Sequence, residues 1–483
     1  MARSSIMTRW PHYILATLMA AFASSLSWFT VTAFHKLNIH RFDLGNVEQV
    51  MWNLVHGRGF VMTDPYGTAE MTRFAFHADP FLIFLAPFYA IWPHAETLIV
   101  LQVVALTAAI PATFLLGRRV VGSIAAGLAF AVATTISAPL LWSGIQPLHA
   151  VTFAVPLILW GGYFALQKKY VAAAILLGLA MLTKEQVGLS VAMFGAFLWW
   201  RRRDWRWGPW LTVIPAVYAL TMFFVVLPAL APTTTAYQSA YGETASSVVS
   251  HVLRQPVEAV KDVIGPANVK PVMQLVASFG GLALFSPISL AALPDIVING
   301  LSDKIQQRDI RFHYHGSLLP WLIIGAAFGW SWFAGRMKRY SPRAKHLLLC
   351  GWLIGSAAVI SFQYGPLPGT PNSWLRFATW GNRYAPIVRE YAATLPPETA
   401  VSVTNNVGAQ FAGRAELYSF PYGLDRADVV VVWRNHGQTV VSTEAENAAA
   451  LELLRRSPEW RIVRDDSDLT ILARQVAETN GAR

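Results

Sequence analysis

Long apolar segments separated by short polar ones fill the first three quarters of this 483-residue chain. A helix needs about 20 mostly apolar residues to cross a bilayer. The pattern therefore predicts about eleven transmembrane helices, of which 170–183, 187–200 and 287–301 are short for a crossing. The predicted spans are 13–34, 97–117, 120–140, 150–166, 170–183, 187–200, 208–228, 272–286, 287–301, 317–335 and 346–363.

The pattern changes near Gly365, where short alternating segments replace the long apolar ones. Such segments, joined by short connections, are typical of strands and helices in an α/β domain. The chain accordingly divides into a transmembrane domain, 1–364, and an α/β domain, 365–483. The domain's predicted strands are 399–404, 416–420, 428–433, 460–464 and 469–473, and its predicted helix is 444–456.

Composition agrees with a membrane protein. Hydrophobic residues make up 54% of the chain and charged residues only 13%, with a mean hydropathy of +0.40. Soluble domains carry about 25% charged residues, so an ordinary soluble protein is excluded. The single cysteine, Cys350, lies in an apolar run and excludes an intramolecular disulfide.

The basic residues predict how the chain is oriented in the membrane. There are 38 Lys and Arg against 27 Asp and Glu, a net charge of +11. Many of them lie in short loops between spans, where orientation explains them better than nucleic-acid binding does. A cytoplasmic N-terminus puts fifteen Lys and Arg in cytoplasmic segments and only Lys184 in the short outward turns. This orientation, expected in an inner (plasma) membrane, makes 35–96, 229–271 and 302–316 outward loops and the C-terminal domain extracytoplasmic.

The first outward loop contains the first candidates for chemistry. Asp43 directly follows the first span, where partial desolvation could raise its pKa into the range of a general base. A helix N-cap is the alternative role for Asp43. Glu48 is five residues further on, off the same helical face, and so has a different role. His77 and Asp79 precede Pro80, and Asp79 is again either a functional acid or an N-cap.

The remaining candidates fall on the same predicted side of the membrane. Lys184 and Glu185 separate two short apolar segments, where charges pair with each other or serve a site. His149 ends a span, and His313 and His315 lie in the third loop. The two-residue spacing of His313 and His315 is a weak metal signal, so a divalent metal is an open alternative and no cofactor is assigned.

Several motifs resemble a prokaryotic multi-pass membrane family of unknown function, and the resemblance covers most of the chain. That family is grouped with the GT-C glycosyltransferases, which include the aminoarabinose and protein O-mannosyl transferases. The motifs are Phe42-Asp43-Leu44-Gly45, His56-Gly57-Arg58-Gly59, Phe76-His77-Ala78-Asp79-Pro80, Lys184-Glu185, Tyr314-His315 and Thr404-Asn405-Asn406.

The resemblance implies an inverting glycosyltransferase with a GT-C-like fold and a polyprenyl-phosphate-linked sugar as donor. In such enzymes an acid just after the first span acts as base or orients the acceptor, which corresponds to Asp43. Leu44 replaces the second acid of the usual Asp-Glu doublet, which weakens the case for a metal there. Arg41, Arg58, Arg73, Arg308 and Arg311 are phosphate candidates, because guanidinium groups match phosphate oxygens; interfacial snorkelling is the alternative.

Two other classes of function are open. A transporter would show inverted repeats and broken helices near the membrane midplane. No internal repeat is visible, and the candidate residues fall at one face of the predicted topology. A non-catalytic assembly protein, whose C-terminal domain recruits partners, is the third hypothesis. Membrane lipid and a lipid-linked sugar donor are the predicted partners, the acceptor is unassigned, and nucleic acid is not predicted.

Overall fold

A computed structural model describes residues 10–64, 69–230, 241–242, 244–375, 378, 381–434 and 441–475. The basic N-terminal residues and the start of the predicted loop 229–271 lie outside these ranges. The chain forms two compact units. The helical unit comprises Met1–Phe29, Phe74–Leu82 and Val100–Leu375, and the loop–sheet unit comprises Thr30–Arg73, Ile83–Ile99 and Arg376–Arg483.

Most of the predicted spans are helices. Among the described residues, four helical stretches are long and apolar enough to cross a membrane: Trp10–His35, Ala95–Val121, Gly208–Leu230 and Pro342–Tyr364. A fifth, Ile124–Ile136 with Ala138–Ile145, bends by 46° at its break. Several other apolar helices are shorter, so the predicted number of eleven crossings stays a prediction.

The helices up to residue 230 follow the predicted spans closely. They are α1 Trp10–His35, α2 Asn46–Val55, α3 Ala86–Ile91, α4 Ala95–Thr107, α5 Ala109–Val121, α6 Ile124–Ile136, α7 Ala138–Ile145, α8 Ala154–Leu166, α9 Tyr170–Met181, α10 Val187–Arg202, α11 Gly208–Thr221 and α12 Leu227–Leu230. A wide π-type turn, Met222–Val226, joins α11 to α12, and 3₁₀ turns cover Arg73–Ala75, Pro80–Leu85 and Ala150–Phe153.

The helices between residues 241 and 364 are more broken. They are α13 Ala245–Arg254, α14 Pro256–Val263, α15 Pro266–Ala277, α16 Leu293–Gly300, α17 Leu319–Arg336 and α18 Pro342–Tyr364, with 3₁₀ turns at Leu282–Phe285, Pro287–Ala292, Ile305–Arg308 and His313–His315.

The predicted continuous span 272–286 is wrong. Helix α15 ends at Ala277, and Gly280 and Gly281 follow with φ of 68° and 72°. Glycine takes this left-handed conformation at no steric cost, and it stops an α-helix. A 3₁₀ turn then leads to Ser286, whose backbone is extended. Pro287 follows it, at the boundary between the predicted spans 272–286 and 287–301.

The core of the helical unit is built from apolar side chains of α1, α4 to α11 and α15 to α18. Small residues allow neighbouring backbones to approach closely, as in other membrane helix pairs. Gly195 of α10 is an example, because a Cβ there would lie 2.3 Å from the carbonyl carbon of Leu211 in α11. Any larger residue at 195 would push these two helices apart.

The loop–sheet unit contains a five-stranded sheet in the order β4-β3-β5-β7-β6. Strands β3, β4 and β5 are parallel, whereas β7 pairs antiparallel with both β5 and β6. The first loop adds a hairpin of β1 and β2. The elements are β1 Val61–Thr63, β2 Glu70–Thr72, α19 Ala385–Thr394, β3 Val401–Val403, α20 Asn405–Gly408, β4 Leu417–Ser419, β5 Val429–Trp433, α21 Glu444–Arg456, β6 Trp460–Asp465 and β7 Leu469–Arg474.

All five predicted C-terminal strands and the predicted helix 444–456 are confirmed. Helix α21 begins as its sequence indicates, with a capping box. The Thr443 hydroxyl accepts the backbone N–H of Glu446, and the Glu446 carboxylate accepts the backbone N–H of Thr443 at 2.7 Å. Each face of the sheet has its own apolar core, one including Val401 and Val431 and the other Val430 and Leu451.

Candidate functional site

Asp43 lies on an unusual turn directly after the first membrane helix. Residues Arg41–Gly45 form one wide π-type turn that continues into α2. The predicted N-cap role of Asp43 is wrong, because the helical turn begins at Arg41 and His40 occupies the cap position. Asp43 is half-buried and close enough to His40 to affect the pKa of that ring. Isolated π turns are rare and are often found at functional sites.

The turn is held by Ser419, Leu417 and Asn405 of the C-terminal domain, through two side chains and one backbone carbonyl. The Arg41 guanidinium donates from Nη1 to the Ser419 hydroxyl and from Nη2 to the Leu417 carbonyl, both at 2.6 Å. The backbone N–H of Phe42 donates to Asn405 Oδ1 at 2.9 Å. Arg41 is buried, and burial lowers its pKa to about 10. Its guanidinium is therefore engaged in positioning the turn that carries Asp43.

The turn occupies the place where parallel sheets commonly bind ligands. Strand β3 has parallel neighbours on both sides, and such a switch point opens a crevice beyond the carboxyl ends of the strands. Asn405 directly follows this end of β3 and begins α20. A Cβ on Gly408 would lie only 2.6 Å from the Cβ of Arg41. The chain's own first loop thus fills the crevice of its C-terminal sheet.

Glu48 is one helical turn beyond Asp43 and is almost completely buried, at 5% exposure. Burial raises the pKa of its carboxyl to about 8, and the nearby Glu96 acts in the same direction. The Tyr89 hydroxyl donates to Glu48 Oε1 at 3.4 Å. Arg414 is also close and donates to the carbonyls of Phe411 and Thr399. Glu48 therefore keeps its proton at neutral pH.

The other two arginines of the first loop differ in environment. Arg58 is 43% exposed and pairs with Glu70 at 2.8 Å, while its Nε donates to Asn53. Arg73 is buried, with Nη1 3.9 Å from the sulfur of Met62. Of the first-loop arginines Arg41, Arg58 and Arg73, Arg58 is the one whose guanidinium is substantially exposed to solvent.

The helical unit contains a second group of charges, centred on Lys184. Lys184, Glu185 and Asp79 are all buried, at 9%, 1% and 4% exposure. The Lys184 ammonium lies 4.7 Å from the centre of the Tyr314 ring. Burial lowers the pKa of Lys184, although Glu185, Asp295 and Asp79 favour its charged form. The structure thus brings Asp79 of the first loop together with the adjacent pair Lys184 and Glu185.

Asp295 completes this group and was missed by the sequence analysis. It is fully buried in α16. Its Oδ1 accepts hydrogen bonds from Gln186 at 2.8 Å and from Ser317 at 2.7 Å. Its Oδ2 has no hydrogen-bond partner among the described residues. An acid inside the apolar segment 287–301 was the signal, because ionisable groups in such segments are costly and usually functional.

The predicted histidines lie in the same unit. The rings of His149 and His313 stack with centroids 3.4 Å apart. His315 Nε2 is 2.9 Å from the Pro139 carbonyl and 3.1 Å from the Ser143 hydroxyl. Burial lowers the pKa of His315 to about 4, and burial followed by the neighbouring His149 lowers that of His313 well below its usual value. His77 is close enough to His313 to contribute. His313 and His315 are therefore neutral at pH 7.

A groove of about 390 Å³ lies beside the third loop and is partly basic. Arg311 lines it but is neutralised by Asp309, with its Nη2 2.6 Å from Oδ2. Arg308 lines both this groove and a smaller cavity of about 30 Å³. The smaller cavity is also lined by Asn268, Asn299 and His315, each of which has a polar side-chain atom without a partner among the described residues. These atoms are the two amide oxygens and the Nδ1 of a neutral imidazole, all acceptors, so the arrangement suits a polar group that donates hydrogen bonds.

Metal binding stays an untested alternative. Within the described parts of the chain, no three His, Cys, Asp or Glu side chains are grouped as metal ligands. Lys184 lies among the acids of the helical unit, and these acids favour its charged form.

Comparison with solved structures identifies the fold. Two crystal structures of ArnT from Cupriavidus metallidurans, a GT-C glycosyltransferase, match over 97% of this chain and 98–99% of theirs. One is bound to undecaprenyl phosphate, with a TM-score of 0.50, and the other is in the apo state, with a TM-score of 0.52. Each is 13% identical to this chain, so the likeness is one of fold. The predicted GT-C-like helical fold with a small C-terminal sheet is thus confirmed.

Sequence comparison adds the family. A search among curated proteins finds no match. The family model described as "Predicted membrane protein (DUF2079)" matches residues 33–471, which is most of the chain. The resemblance to a membrane family of unknown function related to the GT-C enzymes is confirmed. This multi-pass membrane protein belongs to the DUF2079 family.

Proposed function

We propose that this protein is a membrane glycosyltransferase that transfers a sugar from a polyprenyl-phosphate donor to an acceptor on the extracytoplasmic side. The fold of a GT-C glycosyltransferase supports this proposal, as does the binding of undecaprenyl phosphate by ArnT. Fold alone does not determine function. The proposal therefore depends on what particular side chains of this chain can do.

The observation that carries the proposal is the position of Asp43. Its half-buried carboxylate lies on a turn that Arg41 and Asn405 fix from both sides. Reacting groups must be held rigidly, because small displacements cost large factors in rate. A base that follows the first span needs such support, since a free loop would leave it mobile. The C-terminal sheet supplies the support.

In the proposed reaction Asp43 accepts the proton of the acceptor hydroxyl. The acceptor oxygen forms a bond to C1 of the sugar while the bond from C1 to the phosphate oxygen breaks. The polyprenyl phosphate leaves with that electron pair, and the configuration at C1 inverts. Asp43 then returns its proton to solvent or to the departing phosphate. Every proton and electron pair is accounted for without a redox partner.

Glu48 has a different role in this proposal. A carboxyl with a pKa of about 8 is protonated at neutral pH and cannot serve as the base there. Two acids in one loop are often divided between two roles when one of them is buried and uncharged. In this assignment Asp43 accepts the proton, and Glu48 stays buried and uncharged.

In this proposal the donor phosphate is bound by basic side chains whose positive charge is not already engaged by another group of the protein. Arg41 is occupied by Ser419 and Leu417, and Arg311 by Asp309, so both serve better as positioning residues. Arg58 is the remaining candidate in the unit that carries Asp43, because its guanidinium is partly exposed. Arg308, in the helical unit, lines the groove there and has an Nε without a partner among the described residues.

Several contacts disfavour a merely recruiting role for the C-terminal domain. Gln410 donates to the Phe34 carbonyl at 2.8 Å, and Gln49 donates to the Ala415 carbonyl at 2.8 Å. The Leu417 N–H donates to the Thr63 hydroxyl. With Arg41 and Asn405, these bonds build the first loop into the C-terminal sheet. We therefore assign the domain an internal function in forming the site.

The test uses purified protein in lipid nanodiscs with polyprenyl-phosphate sugars and envelope extracts as acceptor source. Release of polyprenyl phosphate measures transfer, and the melting temperature with added polyprenyl phosphate measures binding. Asp43→Asn should bind and melt like wild type but transfer about 10² to 10⁴ times more slowly. Asp425→Asn, the same change at a side chain that is 81% exposed, is the control.

Two outcomes would contradict the proposal at different levels. Unimpaired transfer by a stable Asp43→Asn variant would remove the role given to Asp43. A wild-type protein that neither binds polyprenyl phosphate nor transfers any of the sugars would overturn the glycosyltransferase assignment.

A further inference from the structure

Helices α13 and α14 expose apolar side chains in an arrangement that the proposed function does not explain. Leu253, Val257 and Ile264 are 76%, 67% and 62% exposed. Val249 and Val260 are exposed beside them. In a protein surrounded by water, isolated exposed apolar residues are normal, but a continuous row of them marks a contact surface. We call these five residues the apolar stripe.

Helical spacing shows that the stripe is ordered. Val249 and Leu253 are four residues apart on α13, and its polar residues Ser247 and His251 occupy the opposite face. Val257, Val260 and Ile264 are three and four residues apart along α14 and its end. Glu258 and Asp262 fall on a separate face of α14. Both helices are thus strongly amphipathic while only moderately apolar overall, which is typical of helices that lie in a membrane interface.

The polar contacts of this hairpin are directed toward the protein. Tyr241 is buried, donates a hydrogen bond to Asp262 of α14, and packs edge-on against His251 of α13, with ring centres 4.7 Å apart. Ala259 is buried on the inner side of α14. Asn268 joins the following helix to the Gly300 carbonyl at 3.0 Å. The hairpin is therefore a fixed part of the helical unit, and its outward apolar face is not a result of fraying.

The surroundings of the hairpin identify what covers the stripe. Helix α13 contacts the turn Met222–Val226, within the apolar stretch Gly208–Leu230 that is long enough to cross a membrane. Phe224 and Val225 of that turn are themselves exposed. Helix α14 contacts α16, which is another apolar helix. The stripe thus continues an exposed apolar surface that extends along a helical stretch long enough to cross a membrane.

We propose that α13 and α14 lie in the plane of the membrane interface, with the apolar stripe inserted among the lipid chains. Arg254 and Lys261 flank the stripe, where their long side chains reach the phosphates of the headgroups. Lys270 of α15, the next helix, lines the groove that contains Arg308. Insertion of the stripe would hold this groove beside the lipid headgroups. The inference stands independently of the proposed glycosyl transfer.

Fluorescent labelling of the full-length protein in nanodiscs tests the stripe. Since Cys350 is the single cysteine, a Cys350→Ala background allows one label at a time. An environment-sensitive dye is attached in Leu253→Cys, Val257→Cys and Ile264→Cys. The controls are Glu258→Cys, on the polar face of α14, and Asp425→Cys, at a side chain that is 81% exposed. Quenching by brominated acyl chains is compared with quenching by aqueous iodide.

The stripe positions should show blue-shifted emission, strong quenching by the brominated lipids and protection from iodide. The two controls should show the reverse order. Equal iodide access at stripe and control positions would overturn the proposal. Protection from both quenchers that disappears when the protein is diluted into more lipid would also overturn it. That result would mean that a second copy of the chain, and not lipid, covers the stripe. Melting curves verify that each labelled variant is folded. A second test uses the variant Leu253→Ser, which should lower the stability of the protein in nanodiscs but not in detergent.

Discussion

Replacing Glu48 with glutamine should make the protein more stable at neutral pH. Glu48 is 5% exposed, and burial raises the pKa of its carboxyl to about 8 in the folded protein. In an unfolded chain a glutamate ionises near pH 4.5. Because the folded-state pKa is the higher one, the carboxyl's contribution to stability is fully present below pH 4.5. It is lost as the pH rises towards 8.

The size of the effect follows from the two pKa values. Each pH unit between them costs about 1.4 kcal/mol, because the folded state must hold a proton that the unfolded state has released. The loss is about 5 kcal/mol by pH 8 and about 3 kcal/mol at pH 7. Glutamine resembles the protonated acid and cannot ionise, and its carbonyl can still accept the Tyr89 hydroxyl. Glu48→Gln should therefore be roughly 3 kcal/mol more stable than wild type at pH 7, with no difference near pH 4.5.

The assay is reversible denaturant unfolding in detergent micelles at several pH values between 4.5 and 8.5. Glu70→Gln is the control, since the Glu70 side chain is 53% exposed and pairs with Arg58 at the surface. Such a pair contributes at most about 1 kcal/mol, and its loss should leave the pH dependence unchanged. Parallel stability curves for Glu48→Gln and wild type would refute the reasoning. They would mean that Arg414 keeps Glu48 ionised in the folded protein.

Three further predictions concern other parts of the chain. Asn405→Ala should lower kcat more than it raises KM, because it removes the acceptor of the Phe42 N–H and loosens the Asp43 turn. Asn405→Asp keeps the acceptor and should retain activity. Equal losses in the two variants would contradict the positioning role. Asp295→Leu should destabilise the protein by about 3 kcal/mol, since it leaves Lys184 less compensated, and the added change Lys184→Met should recover part of that loss in the same unfolding assay. Reporter fusions should be cytoplasmic after Arg119, Lys169 and Arg203 and external after Phe362; an external reporter at Arg203 would reverse the predicted orientation.

The sequence pattern was sufficient to predict those helices and strands that are determined by neighbouring residues. The C-terminal strands and helix α21 were predicted from short alternating segments with short connections, and the capping box of Thr443 and Glu446 is a further local cause of α21. Most membrane helices follow directly from the length of their apolar segments. The break at Gly280 and Gly281 was missed because glycine is tolerated within membrane helices, so its presence alone does not predict a stop.

The candidate site shows where local pattern is insufficient. His77, Asp79, His149, Lys184, Glu185, His313 and His315 were each identified from the sequence, and all lie in the helical unit. Asp295 was missed because its segment was interpreted only as a short span. The anchoring of Arg41 by Ser419 joins residues 378 positions apart, and no periodicity along the chain can reveal such a pair. The wide turn at Asp43 likewise depends on its distant partners, and from the sequence an N-cap was one of two roles open to Asp43.

The bond between Arg41 and Ser419 also has a consequence for biosynthesis. Ribosomes add about 5–20 residues per second, so Ser419 is made roughly 20–75 s after Arg41. During that interval the turn that carries Asp43 is already synthesised but has none of its partners from the sheet. The nascent protein therefore cannot acquire the finished turn until nearly the whole chain exists. A chain terminated before β4 would lack both the Ser419 hydroxyl and the Leu417 carbonyl, and so could not hold the turn in this form.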